Sequence, residues 1–142
     1  MKKLFKRIFK RIRKTVKRIR IRKTVKRVNR ALNIELTGWQ INYIFYDRLY
    51  PAEISTARCN GKTLAHILRV CLKTDVQIAH EPIIIHFRLL SQYETRSFLI
   101  RNAGEDRANF NRMRFFLHEL RDTYDRLSKV KRLKLRDIQF KY

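Results

Sequence analysis

Acidic residues are missing from the first thirty positions, and that absence divides the chain. Residues 1–30 hold 16 of the 35 Lys and Arg and no Asp or Glu, while the rest sets 19 cations against all 12 acids. The net charge of +23 is therefore concentrated in front of a mildly basic body. A segment with no internal counter-charge calls for a polyanionic partner, nucleic acid first and an anionic membrane surface second. Cysteine is scarce too: Cys59 and Cys71 are too far apart for a CxxC pair. Two such thiols build no disulfide framework, so a reducing compartment is expected. No apolar run approaches the roughly 18 residues of a membrane span, and the basic start lacks the apolar core of a secretory signal. His66, His80, His86 and His118 stand at no metal-ligand spacing with a cysteine or acid, so they read as structural or surface groups. A chain of 142 residues supports one modest core.

The cationic front is patterned. Ile12-Arg13-Lys14-Thr15-Val16-Lys17-Arg18 recurs nine residues later as Ile21-Arg22-Lys23-Thr24-Val25-Lys26-Arg27. On a helix nine residues is about half a rotation. Phe5, Phe9, Ile12, Val16 and Ile19 form one apolar stripe, and Ile21, Val25, Val28 and Leu32 form a second in a different phase. Residues 1–33 are therefore expected to be a basic amphipathic helical arm, in two pieces that change face near Arg20, which with no acids to relieve the repulsion is expected to be helical only when bound to a polyanion. One reading makes it a DNA-contacting arm. Lys6, Arg7, Lys10 and Arg11 would then meet phosphates together with Arg13, Lys14, Lys17 and Arg18, followed by Arg22, Lys23, Lys26 and Arg27. A second reading is a solvated basic helix on the body. A third is membrane-surface contact, because Phe and Ile oppose Lys and Arg.

In the body, the stretch Ser55–Thr63 reads as a phosphate-binding loop between a short strand, Pro51–Thr56, and a helix. Gly61 lets the backbone approach a phosphate, Lys62 supplies a point charge and the Thr63 hydroxyl suits Mg²⁺. Thr56 stands where the pattern G-x-x-x-x-G-K-[ST] has its first Gly. The plainer alternative is a glycine turn before an ordinary helix, whose apolar stripe is Leu64, Ile67, Leu68, Cys71 and Leu72. Upstream, Thr37 is placed as an N-cap, and Ile41, Ile44, Phe45 and Leu49 share a face. Gln40, beside Trp39, carries an amide suited to an adenine edge or to simple capping.

Further on, Pro82–Leu90 suits a helix with Pro in its first turn or a buried strand, and helix is preferred because Leu90 and Tyr93 extend the apolar face. Arg96–Arg101 reads as a strand and Asn102–Gly104 as a turn. A long helix is expected from Glu105 to Ser128 on an apolar set that includes Phe116, Leu117, Leu120, Tyr124 and Leu127. Lys134–Tyr142 alternates as a strand.

The order of Leu36-Thr37-Gly38-Trp39-Gln40, then Ala57-Arg58-Cys59-Asn60-Gly61-Lys62-Thr63, then strand, turn and helix over Phe98–Leu127 resembles the start of the ATPase domain of tailed-phage large terminase subunits, the motors that package viral DNA. Terminases commonly lack the first loop glycine and carry an arginine four residues before the lysine, as Arg58 does here. The resemblance implies an α/β fold, with residues 34–142 a partial P-loop NTPase (RecA-like) sheet with flanking helices. It implies ATP and Mg²⁺ as cofactors, with Gln40 on adenine, the Asn60 and Gly61 backbone around phosphate oxygens, Lys62 on the outer phosphates, Thr63 on Mg²⁺ and Arg58 sensing the γ-phosphate. No apolar strand ends in Asp-Glu, so the Walker B acid is lacking and turnover should be very slow. The family's nuclease part is absent as well, which suggests a shortened terminase working with DNA and with another chain in the host cytoplasm. Against this stands a non-enzymatic, basic nucleic-acid-binding structural protein in which the Gly-Lys-Thr triplet is incidental.

Overall fold

A computed structural model describes residues 1–56, 61–74, 81–87 and 110–142. The order of elements is α1 (Lys2–Leu32), α2 (Gly38–Tyr46), α3 (Ala52–Thr56), α4 (Lys62–Cys71), β1 (Ile83–His86), α5 (Phe110–Ser128) and β2 (Ile138–Lys141). The fold is mixed α/β and mostly helical, with a small parallel sheet.

α1 is one continuous helix of 31 residues, about 46 Å long, and not two pieces. The half-rotation between the stripes changes which face is apolar without disturbing the backbone. Lys, Arg and Leu are good helix formers, and no Gly or Pro interrupts residues 1–37. Thr15 and Thr24 turn their hydroxyls back onto the Arg11 and Arg20 carbonyls, at 3.1 Å each. The helix ends where Asn33 takes a left-handed conformation (φ 54°). Asn29 closes that end, its carbonyl accepting from Ile34 N–H (3.0 Å) and its side chain from Leu36 N–H (3.2 Å).

Only the second stripe reaches the core. Ile21, Val28 and Leu32 are buried with Val25 beside them, whereas Phe5, Phe9, Ile12, Val16 and Ile19 are exposed. The centres of the two stripes lie about 170° apart around the helix axis. The apolar stripe of the N-terminal half of α1 thus lies about half a turn around the helix from the stripe that seats it on the body.

The core is completed by Ile44 and Phe45 of α2, by Ile67, Leu68, Val70 and Cys71 of α4, and by Phe116, Leu117, Leu120 and Leu127 of α5. α5 packs on both α1 and α4, and α4 also packs on α2. Of the expected stripes, Ile67, Leu68, Cys71 and Leu72 are buried on the first helix and its end, and Phe116, Leu117, Leu120 and Leu127 on the second, while Leu64 and Tyr124 are half-buried. Burial pushes the Cys71 thiol far above its ordinary range, which leaves it protonated and inert.

Four local expectations are corrected. Residues 52–56 are helix, not strand: Pro51 pre-sets the backbone at the start, its carbonyl accepts from Ile54 N–H (3.0 Å), and Glu53 favours the first turn. The segment after Pro82 is strand, not helix. Its β-branched run alternates, with Ile83 and Ile85 buried and Ile84 exposed, and pairs in parallel with β2 in the register Ile83–Ile138 to His86–Lys141. Finally, α2 stops at Tyr46, and Leu49 is 88% exposed instead of sharing its inner face. The strand expected over 134–142 is shorter, reduced to β2 and a bridge between Leu135 and Leu72. The strand over 96–101, the turn at 102–104 and the start of the helix at 105–109 lie outside the described residues. No helix among the described residues is long and apolar enough to cross a membrane.

Candidate functional site

Two regions hold the residues singled out above. The first is the junction of α2 with the start of α4. Thr37 is the N-cap of α2, and Gln40 lies 5% exposed one turn on. Gln40 Oε1 accepts from the Thr37 N–H (2.9 Å) and the Thr37 hydroxyl (3.2 Å). Its Nε2 donates to the Gly61 carbonyl at 3.2 Å, a contact across 21 positions that the sequence alone does not announce. That carbonyl also accepts the first α4 bond, from Ala65 N–H (3.0 Å). An adenine edge would have to displace Thr37 and Gly61 from this amide.

Gly61 itself has φ 81°, and a Cβ there would come within 2.4 Å of Gln40 Nε2. The glycine is thus required by left-handed backbone and by a neighbouring side chain. Gly61→Ala should lower stability by about 2–3 kcal/mol, because it forces strained backbone and breaks the Gln40 bonds. The double change Gly61→Ala with Gln40→Ala should cost less than the sum of the two, since each removes what the other clashes with. Urea melts measure both, and a wild-type midpoint for Gly61→Ala would place Gln40 elsewhere.

Lys62 and Thr63 lie half-buried in the first turn of α4. Arg58 and Asn60 are outside the described residues. Behind them, Tyr43 and His66 share a buried 2.6 Å hydrogen bond, and Arg69 sits 4.8 Å over the Tyr43 ring while pairing with Asp47. Such contacts join α2 to α4 as a scaffold. His118 packs against Phe87 with ring centroids 5.1 Å apart. Among the described residues no cluster of His, Cys, Asp or Glu could hold a metal ion.

The second region is cationic. Where α1 overhangs the body, a cleft of about 970 Å³ opens between it and the corner made by residues 72–74 and 132–135. Arg13, Lys17, Arg20 and Arg27 line one wall, and Lys73, Arg132 and Lys134 line the other. No acid lines the cleft among the described residues, and the Lys73 ammonium pairs with Glu81 at 3.9 Å. Backbone bonds build the far wall: Lys73 N–H donates to the Lys134 carbonyl (3.2 Å) and Arg136 N–H to the Cys71 carbonyl (2.8 Å). Arg27 ties the walls together by donating to the Arg132 carbonyl at 3.1 Å.

Of the arm cations, Lys6, Arg7, Lys10, Arg11, Lys14 and Arg18 are exposed on the overhanging half, beside Arg13 and Lys17. Arg22, Lys23 and Lys26 are exposed as well but line no part of the cleft. Sequence reasoning missed Lys73, Arg132 and Lys134. Their one local signal was the alternation around Leu135, which does not name Leu72 as the partner. No family model matches the chain, and neither a curated protein nor a solved structure is significantly similar to it.

Proposed function

We propose that the protein binds nucleic acid without catalysis, holding a phosphate backbone between the overhanging half of α1 and the 72–74/132–135 corner. The observation that carries this reading is the cleft with cations on two walls and no acid among the described residues. Phosphates entering it release condensed counterions, and that release supplies the affinity. Arg and Lys meeting backbone oxygens carry no base information, so binding is sequence-tolerant and suits a structural component of a nucleoprotein particle. DNA is the expected substrate. The test is the affinity for a labelled duplex measured against salt. Six to eight phosphate contacts give a log–log slope of about −5 to −7, and a slope shallower than about −2 would sink the proposal.

A second reading keeps the terminase-like nucleotide site. It is favoured by the approach of Gln40 to Gly61 at the start of α4, which joins two of the three stretches on which that resemblance rests. Here Lys62 and Thr63 would hold the phosphates and Mg²⁺ of ATP, with Arg58 and Asn60 contributing from the loop. Calorimetry with an ATP analogue and Mg²⁺ separates the readings. Under the second, Lys62→Ala abolishes analogue binding and leaves duplex affinity nearly unchanged. If the wild-type chain binds no analogue, only the first stands.

A further inference from the structure

We infer that the uncovered apolar stripe of α1 is a docking face for an anionic lipid bilayer surface. Phe5, Phe9, Ile12, Val16 and Ile19 are each between 47% and 59% exposed, on a helix that otherwise presents cations. The body is seated about half a turn away on the same helix, through Ile21, Val28 and Leu32, so a flat surface reaches the stripe without meeting it.

Beyond Arg20 the same side of the helix continues as Lys23, Lys26 and Arg30, all exposed. This side therefore offers hydrocarbon along its first five turns and ammonium and guanidinium groups after them. An anionic bilayer takes both, with the Phe and Ile side chains at the acyl boundary and the cations at the headgroup phosphates. A second copy of α1 fits poorly, because two such helices would bring together cations with no acid in residues 1–30 to relieve them. Nucleic acid has no hydrocarbon to cover the stripe. Ile12 and Val16 also line the cleft, whereas Phe5, Phe9 and Ile19 lie outside it, and the docking face does not depend on the nucleic-acid reading.

Flotation of the full chain with phosphatidylcholine vesicles, with and without phosphatidylserine, tests this. The wild-type chain should float with the anionic vesicles. The charge-neutral variant F5Q/F9Q/I19Q, which leaves the cleft lining intact, should partition about a hundredfold more weakly, because three half-exposed apolar side chains no longer enter the lipid. Its oligonucleotide affinity should change less than about twofold. Gln is a good helix former, and unchanged far-ultraviolet circular dichroism would confirm that α1 persists. A second variant, V16Q/I19Q, should lose about tenfold by the same argument. Equal partitioning of variants and wild type would overturn the inference, as would a wild-type dimer that F5Q/F9Q/I19Q dissolves.

Discussion

Replacing Arg13, Lys17, Arg20 and Lys134 together with glutamine should lower duplex affinity by about three orders of magnitude at ~0.1 M salt. Each phosphate neutralised adds about 0.9 to the slope of log affinity on log salt, so four lost contacts flatten it by roughly 3.6. All four side chains line the cleft, three on α1 and one on the opposite wall. Glutamine keeps the side-chain length and the helix, so charge is the variable. Folding should not suffer, because removing like charges relieves self-repulsion.

A matched variant at the far end of α1, with Lys2, Lys3, Lys6 and Lys10 changed to glutamine, removes the same charge where no second wall faces it. Its loss should be about tenfold, since a phosphate there is held from one side only. Equal losses from the two variants would mean that net charge alone sets affinity and that the cleft has no special part. Anisotropy titrations at several salt concentrations measure both.

Much of this architecture is legible in the residue order, and the exceptions have physical causes. The stripes of α4 and α5 follow the helical period, so Leu68, Cys71, Leu120 and Leu127 are buried as the spacing predicts. The half-rotation between the halves of α1 is legible as well, because nine residues is a fixed angle on any helix. That the helix runs through the change of face is decided by the body, which seats one stripe and leaves the other uncovered. Ile83-Ile84-Ile85 after a proline suits either helix or strand; Ile138, 55 positions away, decides for strand by pairing with Ile83. Gln40 illustrates the same limit. Its capping role is local and readable from Thr37, while its bond to Gly61 depends on how α2 and α4 pack. The cleft needs two walls from distant segments, and only the α1 wall announces itself by charge.

Phe116→Ala should destabilise the protein by about 3–5 kcal/mol, while Phe115→Ala should change stability by less than about 0.5 kcal/mol. The two residues are adjacent and chemically identical, but Phe116 is 1% exposed and Phe115 is 61% exposed. Truncating Phe116 removes its transfer free energy and leaves a cavity where α5 meets the rest of the core. Against a total of about 5–15 kcal/mol for a single domain, that is roughly a fifth or more of what holds the fold. The effect should reach the nucleic-acid cleft. α5 packs against α1, and at its far end Arg126 donates to the Ala31 carbonyl at 3.1 Å, so α5 steadies the seat from which α1 overhangs the body. Urea melts followed by circular dichroism and by fluorescence of Trp39, the single tryptophan, measure the loss. Coincident transitions would show that α1 and α2 unfold with α5 as one unit. If Phe115→Ala costs as much as Phe116→Ala, α5 is rotated by about a quarter turn from the orientation described, and the wall that α1 forms over the body has no fixed support.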